Sequence, residues 1–317
     1  MKYSKILVTG GAGFIGSHIT NRLIADGAEV TVFDNLTTGK LQNLDDVSDK
    51  KRLHFTKGDI RDIDQVKAAL KDIEAVFHEA AFVSVNLSVE DPILANEVNV
   101  KGSLNLLKAA SDMGVKRFIF ASSAAVYGEE PPEKREDMIL EPSNPYGVTK
   151  LASESYVRAF WKVYGLETVS LRYFNVYGPK QSFDINCAYG GAITIFTNRI
   201  LRNLPPIIYG DGEQTRDFVS IYDVVEANML ALTCQNATGR AFNIGSGCRV
   251  TLNRVAEVLK SNIGKLKLEN IYQPARVGDV KHSYADISKA RNVLGFNPEF
   301  SFEKGITSLI QWCNSQN

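Results

Sequence analysis

Tyr146-Gly147-Val148-Thr149-Lys150 sets a phenol and an ammonium four residues apart, on one face if the segment is helical. A cation beside a phenol favours the phenolate. Bringing a tyrosine from its ordinary range to near neutrality takes about 4 kcal/mol of differential stabilisation. The product is a base able to take the proton of a hydroxyl. This spacing is expected by chance about once in a chain of this composition, so its context carries the weight. Ser122 and Ser123 close the apolar run Phe118–Ala121 and lie before the tyrosine. A hydroxyl at a strand's C-terminal end can bond the same substrate oxygen as the phenol. The alternative is a serine turn that satisfies its own backbone.

A second constellation opens the chain. Ile6-Leu7-Val8 suits a buried strand, and Thr9-Gly10-Gly11-Ala12-Gly13-Phe14-Ile15-Gly16 follows it into a helical pattern. Gly10, Gly13 and Gly16 give a tight turn and close backbone approach to a pyrophosphate, and the helix N-terminus offers unpaired N–H groups to that anion. The spacing alone is weak; its position between a strand and a helix is what the fingerprint requires. The next strand, Glu29–Phe33, ends in Asp34, where a carboxylate would bond an adenosine ribose 2′-hydroxyl and repel a 2′-phosphate. NAD is therefore favoured over NADP. A bound positive nicotinamide would add to Lys150 in favouring the Tyr146 phenolate.

These groups need a scaffold. Strands are expected at Ile6–Thr9, Glu29–Phe33, Leu53–Thr56, Ala75–His78, Phe118–Ala121 and Thr168–Leu171. Helical patterns fill the gaps at Gly13–Asp26, Ile63–Leu70, Ile93–Met113 and Tyr146–Tyr164. Such alternation predicts an α/β fold, a Rossmann-like doubly wound parallel sheet with ligands beyond the carboxyl ends of its strands. After about Asn175, Gly, Pro and Asn become frequent and elements shorten. We expect residues 1–175 to form the dinucleotide-binding domain and residues 176–317 a smaller α/β substrate lobe. Its helices are expected at Ala192–Arg202, Asp223–Leu232, Leu252–Ser261, Ser288–Leu294 and Phe302–Cys313.

The 317 residues carry 36 basic and 36 acidic side chains, so no global field draws the chain to nucleic acid or an anionic membrane. No apolar stretch reaches the ~20 residues of a membrane span. The chain start leads directly into a strand, so no signal peptide is expected. Cys187, Cys234, Cys248 and Cys313 lack metal-ligand spacing, and His18, His54, His78 and His282 are scattered. We expect no metal, free thiols and a cytoplasmic location. His78, at the end of an apolar strand, is expected to support packing or backbone.

The series Thr9–Gly16, Ser122-Ser123-Ala124-Ala125-Val126-Tyr127-Gly128, Tyr146–Lys150 and Arg172-Tyr173-Phe174-Asn175-Val176-Tyr177-Gly178-Pro179 resembles the extended short-chain dehydrogenase/reductases. Tyr209-Gly210-Asp211-Gly212, Arg216-Asp217-Phe218-Val219, Phe242–Gly247 and Arg276-Val277-Gly278-Asp279-Val280 carry the likeness into the second lobe. It points to the nucleoside-diphosphate-sugar 4-epimerases. The resemblance implies that Tyr146 removes the sugar 4-hydroxyl proton, that Ser123 assists, and that Lys150 holds the nicotinamide ribose. It implies that Phe14, Ile15, Asp34, Asn35, Asp59, Ile60 and Ala80 line the NAD. Ser84, Asn175, Tyr209, Asp279 and Ser283 would face the UDP-sugar, with Arg216 and Arg276 on its diphosphate. Planar, always-charged forks suit a diphosphate.

Within this family, 4,6-dehydratases carry an acid pair after the serine and UDP-glucuronate decarboxylases usually a Glu. Here those positions are Ala124 and Ala125, which shuttle no protons, so epimerisation is expected. In glucose-restricted relatives a bulky Tyr stands where this chain has Ser283, and a small Ser leaves room for a 2-acetamido group. UDP-N-acetylglucosamine is favoured, with UDP-glucose also accepted; a UDP-glucuronate epimerase or a nucleotide-sugar oxidoreductase is the alternative. The resemblance further implies a homodimer through Ile93–Met113 and Tyr146–Tyr164. Leu104, Leu107, Val157 and Phe160 on those helices fit either a subunit interface or the protein's own core.

Overall fold

A computed structural model of the chain describes residues 2–129, 131–181, 191–275 and 281–315. Seven parallel strands form the main sheet: β1 (Lys5–Thr9), β2 (Glu29–Asp34), β3 (Leu53–Lys57), β4 (Ala75–His78), β5 (Arg117–Ser123), β6 (Glu167–Tyr173) and β7 (Arg240–Ile244). Their spatial order is 7-6-5-4-1-2-3. The order reverses between β1 and β4, and the crevice beyond those two strand ends is where such sheets bind ligands.

Helices cover both faces. The helices α1 (Phe14–Ala25) and α5 (Ile221–Thr233) share one core with Ile6, Val8, Val30, Val32, Phe77 and Ile119. On the other face α2 (Ile63–Ala69), α3 (Gly102–Asp112) and α4 (Pro145–Tyr164) enclose Leu7, Phe33, Val76, Phe118 and Phe120. Successive residues of β1 thus point into opposite cores, as strands buried on both faces require.

The chain crosses residue 175 more than once in building its lobes. The segments α5 and β7 return to the large sheet, with Arg240–Ile244 paired to Val169–Tyr173. No strand was expected at 240–244. The short run Arg-Ala-Phe-Asn-Ile shows no alternation, and only the neighbouring β6 makes it one. The smaller lobe packs helices Ala192–Leu201, Leu252–Ile263 and Phe302–Ser315 around Ile208, Phe218 and Tyr177. A four-stranded sheet joins the lobes, in the order Val250–Thr251, Thr215–Arg216, His282–Ala285, Glu133–Lys134.

The helix expected over Ile93–Met113 is interrupted. Pro92–Asn96 leads into a π-helical turn, Glu97–Lys101, before α3. Asn99, buried in that turn, bonds the Phe82 backbone N–H at 2.7 Å, the Phe82 carbonyl at 3.0 Å and the Thr149 hydroxyl at 2.9 Å. Its side chain ties the wide turn to α4, an anchorage that periodicity does not report. Leu107, Val157 and Phe160 belong to the core between sheet and helices. The large apolar residues these segments expose include Ile93, Val148, Tyr156 and Val163.

Candidate active site

The glycine-rich turn is fixed by contacts that exclude a side chain. Gly10 has φ +67°, and a Cβ there would lie 2.7 Å from the Ala80 nitrogen. A Cβ on Gly16 would lie 2.2 Å from the Gly10 carbonyl oxygen. Gly13 caps α1 without any side-chain bond to the helix, so the first-turn N–H groups face the crevice. Asp34, at the end of β2, accepts from the Ala12 N–H at 3.0 Å and the Leu36 N–H at 2.8 Å. Gly39 backs the carboxylate, where a Cβ would come within 2.8 Å of Oδ2. These residues fit a dinucleotide: a side-chain-free helix start for its pyrophosphate and a fixed carboxylate for its ribose.

Beside this turn, Phe14 and Ile15 pack partly buried on the core. Asp59 is held by Arg61 at 2.7 Å and Asn35 at 3.2 Å. The Arg61 hydrogen bonds draw its carboxyl down to about 2. Ile60 lies over Gly102, where a Cβ would meet it at 2.6 Å. His78 is fully enclosed, bonded to Thr9 Oγ1 at 2.7 Å and Ser103 Oγ at 2.8 Å. Burial pushes its imidazole down to about 3. It joins β1, β4 and α3 as a neutral support, the role expected of it.

The segment α4 presents Tyr146 and Lys150 because its ends are well defined. Asn144 accepts the Gly147 N–H, Pro145 occupies the first turn, and Gly165 closes the helix at φ 74°. The Ser88 hydroxyl receives the Tyr146 N–H at 3.1 Å. Lys150 Nζ donates to the Ala121 carbonyl at 2.8 Å, near the end of β5. The Ser123 side chain lies by the Tyr146 phenol and favours its ionised form. Ser123 also accepts the Ala125 N–H at 3.1 Å, the backbone contact of a serine turn.

The electrostatics differ from the expectation for this pair. Burial pushes the Tyr146 phenol up, and the hydrogen bond with Ser123 is what opposes it. Burial also pushes the Lys150 ammonium down to about 8, with Glu79 holding it up. Lys150 is turned to a backbone carbonyl. Glu79 was not singled out from the sequence. It follows β4, accepts from Tyr173 Oη at 3.0 Å, and burial pushes it up to about 7. Asn228 Nδ2 donates to the same phenol at 2.8 Å. The only sequence signal was an acid at the end of an apolar strand beside the Gly10 turn.

In the smaller lobe, Arg216 and Ser283 are directly opposite in paired strands. The same strand continues to Tyr284–Ala285, paired with Glu133–Lys134, which lies on the chain leading away from Ser123. Asn175 lies on a strand paired to Phe218, and its Nδ2 donates to the Asp217 carbonyl at 2.8 Å. Tyr209 ends the strand Ile207–Tyr209. Ser84 is buried and accepts the Leu87 N–H at 3.2 Å as a helix cap. Arg276 and Asp279 lie outside the described residues. Among the described residues there is no cluster that could hold a metal ion, and no helix is long and apolar enough to cross a membrane.

A doubly wound sheet, a glycine cradle at its switch point and a Ser–Tyr–Lys set at the strand ends define a dinucleotide-dependent enzyme of the Rossmann class. More narrowly, the chain belongs to the NAD dependent epimerase/dehydratase family, whose model matches residues 6–245. Its cofactor is NAD. The chain is 40% identical to a UDP-N-acetylglucosamine 4-epimerase from Methanobrevibacter ruminantium, solved with UDP-N-acetylmuramic acid; the match covers 100% of both chains with a TM-score of 0.93. A UDP-glucose 4-epimerase from Thermotoga maritima, solved with UDP-glucose, is 39% identical over 98% of this chain and 99% of that one, at a TM-score of 0.90. A UDP-glucose 4-epimerase from Thermus thermophilus, solved with NAD, is 38% identical over 99% of this chain and 100% of that one, at a TM-score of 0.88. These solved relatives are isomerases.

Proposed function

We propose that the protein is a UDP-sugar 4-epimerase that inverts C4 of UDP-N-acetylglucosamine and also accepts UDP-glucose, through a transient 4-keto sugar. The observation that carries this reading is the gathering of Ser123, Tyr146 and Lys150 at the strand ends beside the glycine cradle. NAD, when bound, supplies a reversible hydride acceptor and a positive charge near the phenol. Tyr146 takes the proton of the 4-hydroxyl and later returns one. Ser123 bonds the same oxygen and steadies it during transfer. Lys150 holds the nicotinamide ribose. Ala124 and Ala125 offer no proton for elimination, which favours epimerisation over dehydration.

A sugar that must present both faces has to be held by its nucleotide, so the binding energy belongs away from the reacting ring. Arg216 and Arg276 take the diphosphate, Tyr209 lies against the uracil, and Asn175, Ser84, Asp279 and Ser283 approach the substrate. Ser283, small and beside Arg216, supports room for an acetamido group, in keeping with the N-acetylated ligands of the methanogen relative. The exposed Ile93, Val148, Tyr156 and Val163 are the surface through which we expect a homodimer. The deciding experiment is proton NMR of purified enzyme with UDP-N-acetylglucosamine and no added cofactor. Formation of the galacto isomer is expected. Turnover of UDP-glucose alone would refute the acetamido assignment. Inactivity on both, or a stoichiometric demand for added NAD(P)H, would redirect the assignment to UDP-glucuronate or to an oxidoreductase.

A further inference from the structure

A cavity of about 530 Å³ opens between α4, the edge strand β7 with its neighbour β6, and the chain around Glu136–Leu140. It contains none of the residues assigned to the NAD or sugar sites. Its lining combines an apolar patch of Met138, Leu140 and Leu151, and Val157, with Arg158, Arg172, Arg240 and Lys289 and the acids Glu136 and Glu154.

The charges are not balanced within the wall. Arg172 is committed: it forms a buried ion pair with Glu154 and donates to Tyr127 Oη at 2.7 Å. Lys289 Nζ donates to the Ala241 carbonyl at 2.8 Å, and Glu136 Oε1 accepts the Asn243 N–H at 2.8 Å. Arg158 and Arg240, exposed at the cavity's edge, have no carboxylate partner among the described residues. Burial lowers the Lys289 ammonium; Glu136 opposes this, and the nearby Arg172 and Arg240 add to it. Two unpaired guanidinium forks beside an apolar wall are complementary to phosphate oxygens attached to an apolar or planar group. Ser155 and Ser170 add hydroxyls to the lining.

We propose that this cavity is a second ligand site, separate from the catalytic cleft, for a small phosphorylated molecule whose phosphates meet Arg158 and Arg240. The Arg172–Glu154 pair stands between this cavity and Ser122, whose hydroxyl donates to Glu154 at 2.6 Å. The site therefore rests on the helix that carries Tyr146 and Lys150 without sharing their residues.

The test is calorimetric titration of the NAD-loaded protein, with excess NAD and UDP present to fill the cleft, using inorganic pyrophosphate and ADP in parallel. One equivalent of saturable binding is expected. It should weaken at least tenfold in Arg158→Ala/Arg240→Ala and persist in Arg52→Ala/Lys108→Ala, which removes the same charge from remote surfaces. Tighter binding of ADP assigns the apolar wall to a nucleoside; equal affinity assigns the site to free phosphates. No saturable binding of either probe, or equal binding by the Arg158→Ala/Arg240→Ala variant, overturns the proposal.

Discussion

Ser122 and Ser123, adjacent at the end of β5, turn their hydroxyls to different partners. Ser122 Oγ donates to Glu154 at 2.6 Å, within a buried pair with Arg172, whereas Ser123 faces the Tyr146 phenol and favours its ionised form. Alternation along a strand produces the division. Ser123→Ala should therefore lower kcat by roughly 10²–10³-fold with little change in Tm, since the loss falls on proton transfer. Ser122→Ala should leave kcat within about threefold and cost about 1 kcal/mol of stability, because Glu154 keeps Arg172 as a partner. Steady-state kinetics with thermal unfolding of both variants checks the division; equal kinetic losses would contradict it.

Glu79 follows β4, the strand paired with β5, whose Ala121 carbonyl receives Lys150. Tyr173 on β6 bonds Glu79, and the neutral His78 lies near Lys150. Burial lowers Lys150 to about 8 and Glu79 holds it there, so removing the carboxylate should lower the ammonium further. In Glu79→Gln the alkaline limb of the kcat profile should move down by roughly one pH unit, while activity near pH 6 stays close to the parent's. The amide still accepts from Tyr173, which separates charge from packing. A superimposable profile would remove Glu79 from the site.

Acid stability should report the two enclosed histidines. Burial lowers His78 to about 3 and His18 to about 4, both from 6.5. The unfolded chain binds their protons below its own pKa while the folded protein does not. Their stabilisation is therefore complete above pH 6.5 and is lost as pH falls towards the folded values, by up to about 1.4 kcal/mol per unit for each group. Chemical denaturation between pH 7 and pH 4 should show this slope, and His78→Gln should flatten it. An unchanged slope would mean that His78 takes its proton without unfolding.

Much of this arrangement was legible because it is local. The turn after β1, Asp34 at the end of β2 and the Tyr146–Lys150 pair each lie within a short segment whose spacing reports its geometry. What escaped depends on distant partners. Glu79 gains its meaning from Tyr173 and Lys150, β7 exists only beside β6, and the break before α3 comes from Asn99 reaching Phe82 and Thr149. Leu107 and Val157 fitted an interface or a core equally well until the helices were placed on the sheet. The Tyr146–Lys150 pair shows the same limit: a four-residue spacing puts two groups on one helix face but does not fix where a long side chain ends, and Lys150 ends at the Ala121 carbonyl.

The cradle offers a test of cofactor retention that does not depend on the sugar. A Cβ on Gly16 would stand 2.2 Å from the Gly10 carbonyl oxygen, a backbone atom that can yield only if the turn moves. Gly16→Ala should destabilise the protein by roughly 1–3 kcal/mol through this overpacking. Purified protein should also lose most of its bound NAD, measured by chromatography after denaturation. Retention of NAD at the parent's level would show that the turn deforms without opening the pyrophosphate site.

The proposed acetamido pocket assigns specificity to Ser283, which lies opposite Arg216 in the strand pair joining the lobes. If Arg216 fixes the diphosphate, a neighbour on the same short sheet is placed to limit the size of the sugar that follows it. Ser283→Tyr adds a ring where the acetamido group is proposed to lie, without touching Tyr146 or Lys150. The kcat/KM for UDP-N-acetylglucosamine should fall by at least about 30-fold, a loss of roughly 2 kcal/mol, while that for UDP-glucose stays within about threefold. Initial rates on the two sugars, measured on one preparation, decide it. Equal losses would show that the ring disturbs the strand pair rather than the pocket, and no loss on either would place the acetamido group elsewhere.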